Sequence, residues 1–133
     1  MILDKTLLDK VSTQAKASPR LRMNFNLHES LDSKVQRLFN AMEPGTVVPI
    51  QRHQNIAETL LLVRGSMKVY FHDSEGEITD TFMLSPKDGV YGIHIPAGKW
   101  HSVEVLESGT VMFEVKEGPY TPLSNEDIMD VKK

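Results

Sequence analysis

Gly45-Thr-Val-Val-Pro-Ile-Gln51-Arg-His53-Gln-Asn-Ile-Ala-Glu58, closing at Gly65, and Ile95-Pro96-Ala-Gly98-Lys-Trp-His101 are the two stretches that decide the fold. Side chains alternate along a strand, so Gln51 and His53 share one face while Arg52 points away. Glu58 stands five residues beyond His53, and His101 follows a Pro-x-Gly turn on a distant segment. Together they supply two imidazoles and one carboxylate, a set that suits a divalent transition metal with open coordination positions. Neither stretch carries this alone. The pair implies a metal pocket inside a small β-barrel.

Outward from these stretches, the chain divides into short elements. Leu7, Leu8, Val11 and Ala15 recur at helical spacing over residues 4–17. Ser18-Pro19 ends that run, because proline disfavours helix in the residue before it. Leu21, Met23, Phe25 and Leu27 then alternate with Arg22, Asn24, Asn26 and His28, the period of a half-buried strand. The polar half of this alternation faces either solvent or a pocket. Strand-like segments follow at residues 36–42, 46–53, 58–64, 67–71, 78–84, 90–95, 100–106 and 110–116, separated by proline- and glycine-bearing turns. Short strands at this spacing predict a sandwich or barrel. Residues 118–133 contain proline and then charge, and are expected to wrap over the barrel or fray. No repeat, linker or second domain interrupts the chain. The expected division is a helix over residues 1–19, a barrel over 20–123 and a tail over 124–133.

Strand parity places the chemistry. With Gln51 and His53 inward, Glu58, Leu60 and Leu62 share one face of their strand, and His101, Val103 and Val105 share one face of theirs. Each proposed ligand therefore ends an apolar inward row, where a pocket mouth belongs. Gln51 offers a neutral, weakly basic amide oxygen: it ligates weakly, holds a bound water, or does neither. In that last case His53 and His101 remain as hydrogen-bonding pocket residues without a metal. Arg22, Asn24 and Asn26 suit a substrate rich in hydroxyls or carboxylates, or else form a solvated strand face. His28 reads as a further pocket residue or as a surface cap. Tyr120 either closes the pocket with its hydroxyl or packs its ring on the barrel. His72 and His94 run out of phase with the inward candidates Phe71 and Ile95, so both fall outside the site. Trp100 points to the face opposite His101. There is no nucleophile elbow, phosphate-cradling loop or dinucleotide fingerprint.

Composition narrows the partners. The 133 residues fit one domain, with 25% charged and 40% hydrophobic residues and a net charge of −3. No lysine or arginine stripe suits nucleic acid, and the longest apolar run, residues 59–63, is too short for a bilayer. Without cysteine there is no disulfide frame, thiol nucleophile or Cys-zinc site. The first residues lack the order of a secretory signal, so the expected compartment is the cytoplasm.

The first stretch resembles the first cupin motif, G(X)5HXH(X)4E(X)6G, at every spacing from Gly45 to Gly65, with Gln51 in place of the first histidine. The second resembles the second cupin motif through Pro96, Gly98 and His101. That motif's opening glycine is displaced to Gly89, and Val105 stands in place of its closing asparagine. More narrowly, residues 22–28, 35–38 and 114–120 resemble the WbuC-type cupins, a family of cupin-fold metalloproteins associated with bacterial surface-polysaccharide gene clusters. The likeness runs from about Leu7 to about Leu123. It implies an all-β fold: a single jelly-roll-like cupin barrel with an N-terminal helix. The expected cofactor is a divalent transition metal (Zn, Fe, Mn or Ni) on His53, Glu58 and His101, with Gln51 as the fourth candidate. The expected ligand is a small polar, sugar-related molecule touched by Arg22, Asn24, Asn26, His28 and Tyr120. A metal-dependent enzyme and a non-catalytic binding module both fit. The outward apolar residues Thr59, Leu61, Val63, Trp100 and Leu106 need a cover, which predicts a homodimer.

Overall fold

The computed structural model describes residues 1–129. The last four residues of the expected tail lie outside the described residues. The chain opens with helix α1 (Lys5–Ala17). The strands follow as β1 (Arg22–Asn26), β2 (Val35–Met42), β3 (Ile50–Gln51), β4 (Glu58–Arg64), β5 (Met67–His72) and β6 (Ile78–Leu84). They continue with β7 (Gly92–Ile95), β8 (Trp100–Val105), β9 (Thr110–Glu117) and β10 (Ile128–Met129).

Two antiparallel five-stranded sheets face each other, in the orders β1-β2-β9-β4-β7 and β10-β3-β8-β5-β6. The all-β barrel with one N-terminal helix is thus the observed fold. Asp4 caps α1 by accepting the Leu7 backbone N–H at 3.0 Å, which satisfies one of the orphan donors of the first turn. The helix lays Leu8, Val11 and Ala15 on the outer face of the first sheet, against Phe39, Ala41 and Val111. Met23, Phe25 and Leu27 join this outer cluster, which puts the other half of their alternation on the opposite face of β1. β2 is buried on both faces for the same reason: Phe39 and Ala41 meet the helix while Leu38 and Met42 face the second sheet.

Between the sheets, Met42, Leu60, Leu62, Met67, Val69 and Val105 form the centre of the main core. The turn after β4 needs Gly65, whose φ of +91° is left-handed. A Cβ there would collide with Thr110 Oγ1 and lie 2.7 Å from the Thr110 Cα. Glycine alone combines that conformation with that approach.

β3 is shorter than the strand expected over residues 46–53. Pro49 has no N–H for a ladder, and the Thr46 N–H closes a turn onto the Glu43 carbonyl at 3.1 Å instead. Residues 119–129 wrap the barrel. Ile128 pairs with Gln51, and Asp127 accepts from Arg52 Nε at 3.0 Å and Gln54 Nε2 at 2.7 Å. Among the described residues no helix is long and apolar enough to cross a membrane.

Candidate functional site

The inward rows change character along the sheet. On β4 the sequence from the core outward is Leu62, Leu60, Glu58; on β8 it is Val105, Val103, His101; on β9 it is Met112, Glu114, Lys116. Register brings the polar ends together. Glu58 lies opposite Lys116, and His101 lies opposite Gln51. One end of the barrel is therefore a dry core and the other a buried polar pocket.

The Pro96–Gly98 turn joins the two sequence motifs. Its Gly98 N–H donates to the His53 carbonyl at 2.7 Å, which holds the His53 loop beside His101. Glu58, only 4% exposed, then meets both imidazoles with one oxygen. Oε1 lies 3.2 Å from His53 Nε2 and 3.4 Å from His101 Nε2. Neither approach is a hydrogen bond, so Glu58 Oε1 is a buried oxygen without a donor. His101 Nδ1 lies 2.9 Å from the Lys99 carbonyl, which can only accept. A neutral His101 therefore carries its proton on Nδ1 and presents the Nε2 lone pair to Glu58. Two lone pairs that face each other in a buried site call for a cation between them, a proton or a metal ion.

Among the described residues no group of three or more His, Cys, Asp or Glu side chains surrounds an open point that could hold a metal ion. Of the three sequence-predicted ligands, the two imidazoles instead converge on the oxygen of the third, Glu58. Their chemistry fits a divalent metal: a buried carboxylate oxygen lacking a donor, and an imidazole whose other nitrogen is fixed by a backbone carbonyl, as metal-bound histidines commonly are. Gln51 lines the same cavity as Glu58 and His101.

Without a metal, a proton takes the cation's place. Burial pushes the Glu58 carboxyl up, but His101 and His53 more than reverse this and hold it below the usual carboxylate range. Burial pulls the His101 imidazole down, and Glu58 more than offsets it, with help from the Lys99 carbonyl. His101 thus stays protonated to higher pH than an ordinary histidine.

The cavity beside this cluster encloses about 300 Å³ and is lined by Arg22, Asn24, Gln51, Glu58, His101 and Tyr120, among others. Arg22 Nη1 donates to the Val47 carbonyl at 2.8 Å and the Thr46 hydroxyl at 3.3 Å. His53 lines an adjoining groove of about 540 Å³, and Tyr120 and Lys116 stand on the boundary, lining both. Two sequence candidates reach neither the cavity nor the groove. Asn26 is exposed at the far end of β1. His28 uses Nδ1 to extend the β1–β2 ladder, accepting the Arg37 N–H at 3.1 Å. His72 and His94 do point away, toward Ser102 and Thr59 respectively. Trp100 lies under the Arg52 guanidinium, 4.5 Å from the ring centroid.

Three polar residues of the interior, two buried and one half-buried, escaped the sequence reading. Lys116 Nζ lies 2.8 Å from Glu114 Oε2, and Asn40 Nδ2 donates to Glu114 Oε1 at 3.1 Å. Burial lowers the affinity of Lys116 for its proton, and Glu114 more than restores it. The available signal was β9 itself, where Glu114 and Lys116 share parity with the core residue Met112. A separate cavity of about 450 Å³ lies under α1, but its Arg64 is already engaged by Asp9, Ser12 and the Gly109 carbonyl.

The sequence profile of a family described as a domain of unknown function, DUF6016, matches residues 3–84. No curated protein matches the sequence. Among solved structures, KdgF from Halomonas sp. is similar at 15% identity and a TM-score of 0.61, covering 78% of this chain and 84% of that one. The capsular polysaccharide assembling protein CapF from Staphylococcus aureus is similar at 20% identity and a TM-score of 0.67, covering 87% of this chain. This chain spans only 33% of CapF. A cupin 2 domain-containing protein from Halorhodospira halophila is similar at 16% identity and a TM-score of 0.56, covering 71% of this chain and 62% of that one. At these identities the likeness establishes the fold, a cupin barrel.

Proposed function

The chain belongs to the DUF6016 family and has a cupin fold, and from that premise we propose that it is a metal-dependent cupin enzyme acting on a small polar, sugar-related molecule in the cytoplasm. The observation that carries the metal is Glu58 Oε1, buried without a donor and facing the Nε2 atoms of His53 and His101. These three residues would hold a divalent transition metal, with Gln51 beside them as a weak ligand or a support for bound water. The metal, when bound, supplies a Lewis acid at its open positions. Arg22 and Asn24 orient the substrate, and Tyr120 closes the cavity from the wrapping segment. Lys116, kept protonated by Glu114, places a positive charge at the boundary between cavity and groove. The sugar reading draws on the WbuC-type likeness and on the structural similarity to CapF, a capsular polysaccharide assembling protein.

The test is a thermal-stability titration of metal-free protein with Mn²⁺, Fe²⁺, Ni²⁺ and Zn²⁺. A ligand at about 100 times its Kd adds roughly 2.7 kcal/mol to the native state. Wild type should be stabilised by at least one metal and Glu58→Gln by none. Equal stabilisation of both would remove Glu58 from the site.

A second reading, a non-catalytic module that binds a small ligand without metal, is favoured by Gln51, a neutral amide opposite His101. Gln51→His separates the two. Tighter metal binding in a chelator competition supports the metal centre with Gln51 facing it, unchanged or weaker binding takes position 51 away from the metal, and no metal binding by wild type supports the module. We also infer a homodimer. α1 does not reach the end of the first sheet where Leu61 (48% exposed), Val63 (45%) and Tyr91 (61%) lie open. Twofold pairing is the commonest way to cover such a face.

A further inference from the structure

The cavity proposed to take the substrate carries an unbalanced charge at its rim. Deeper in, the charges answer one another: Lys116 pairs with Glu114, and Glu58 faces two imidazoles. Arg20 and Arg22 do not follow this pattern. Both line the cavity, next to Asn24 and Tyr120. Among the described residues neither guanidinium has a carboxylate at ion-pair distance, whereas Arg52 and Arg64 hold Asp127 at 3.0 Å and Asp9 at 2.7 Å. Arg22 donates through Nη1 to two neutral oxygens. Burial and the like charge of Arg20 both oppose its own charge.

The backbone holds these two cations together at a cost. Leu21, between them, has φ of +56°, the one non-glycine residue with positive φ among the described residues. The Leu21 carbonyl accepts the Glu43 N–H at 2.9 Å, and its N–H donates to the Ser18 carbonyl at 3.0 Å. The Thr46 hydroxyl donates to the Arg20 carbonyl at 2.6 Å and accepts from Arg22 Nη1. The Thr46 side chain thus ties the Arg20 backbone to the Arg22 guanidinium. Strain of this kind persists only where the surroundings over-determine it, and it concentrates at ligand sites.

We propose that Arg20 and Arg22 form an oxyanion subsite, and that the molecule taken by this cavity is an acid: a small polyhydroxylated compound bearing a carboxylate or a phosphate. This rests on the cavity assignment made above and adds the anionic group to it. Guanidinium forks match the paired oxygens of both oxyanions, and Asn24 and Tyr120 address hydroxyls.

Calorimetric titration of the full chain with glucuronate, glucose 6-phosphate and glucose tests this, with Mn²⁺-loaded and with metal-free protein. At least one acid should bind, and glucose should bind roughly tenfold or more weakly. The acid that binds identifies the oxyanion. Arg22→Gln should weaken the acid roughly tenfold or more, and Arg22→Lys should recover only part of that loss. Arg20→Gln, on an exposed side chain, should weaken the acid with the fold intact, and it carries the test if Arg22→Gln does not fold. Glucose binding as well as the acids, no binding by either acid, or acid affinity unchanged in the folded arginine variants would each overturn the proposal. Arginine-dependent acid binding without any Mn²⁺ binding would leave the subsite standing and sink the metal reading. Mn²⁺ binding with no acid binding would do the reverse.

Discussion

Replacing Lys116 by methionine isolates the buried pair beneath the cavity. Glu114 and Lys116 side chains are only 8% and 17% exposed, and their contact is 2.8 Å. Removing the ammonium leaves Glu114 Oε2 charged and without its partner, while Oε1 keeps the Asn40 amide. Breaking a buried pair from one side typically costs 3–5 kcal/mol, and the surviving Asn40 bond points to the lower end, about 3 kcal/mol. In Glu114→Gln/Lys116→Met the uncompensated charge is gone and an amide oxygen still accepts from Asn40. The double variant should therefore lie within about 1 kcal/mol of wild type. Urea unfolding at neutral pH reads both, with midpoints compared at a common slope of roughly 1–3 kcal/mol/M. If the single and double variants are equally destabilised, the loss is one of packing and the pair is not electrostatically coupled. A single variant within about 0.5 kcal/mol of wild type would show Glu114 to be solvated, contrary to its burial.

Gly65→Ala forces a side chain into a left-handed turn and onto the Thr110 backbone. Thermal unfolding should report at least about 2 kcal/mol of lost stability, and an unchanged midpoint would contradict the turn geometry. In metal-free protein, Glu58 is held below its ordinary 4.5, so its contribution is present above that pH and fades as pH falls. His101 is held above its ordinary 6.5, so its contribution is full below 6.5 and fades as pH rises through the raised value. The pair should stabilise most between these two limits, and metal affinity should rise over the range in which His101 loses its proton. Denaturant midpoints of wild type and His101→Ala across pH 4 to 9 check this, and parallel profiles would refute it. Light scattering at micromolar concentration should give twice the chain mass, and Leu61→Glu should halve it. A monomer mass for wild type would show that the outer face of β4 needs no cover.

Much of the fold was readable because local and tertiary signals agree. β4 and β6 fall on the expected residues, since Gly65 ends β4 and Gly76 and Pro86 bound β6. α1 was readable from its apolar stripe and its proline stop. β3 was overestimated because strand-like composition in residues 46–48 gives no hint that Pro49 and the Arg22 guanidinium take that backbone out of the ladder. The pairing of β10 with β3 rests on contacts made by Arg52 and Gln54 across more than seventy residues, which no local pattern encodes. At the site, parity brought Glu58 and His101 to one cavity with Gln51 and placed His53 against Glu58. It did not find Glu114 and Lys116, because alternating charge on a strand reads as a solvent face unless the opposite face is known to be covered. Here α1 covers the outer side of β9, and its charged row turns inward. His28 was misplaced for the converse reason: a histidine ending a polar row looked like pocket lining, and a backbone N–H claimed it.

The most direct test of the metal centre is elemental analysis of protein purified without a chelating tag, for wild type, His53→Ala and His101→Ala. Wild type should carry a divalent transition metal near one per chain. Both variants should lose it, each retaining the β-sheet circular dichroism and cooperative unfolding of a folded barrel. Undiminished metal in either folded variant would contradict a metal centre on His53, Glu58 and His101.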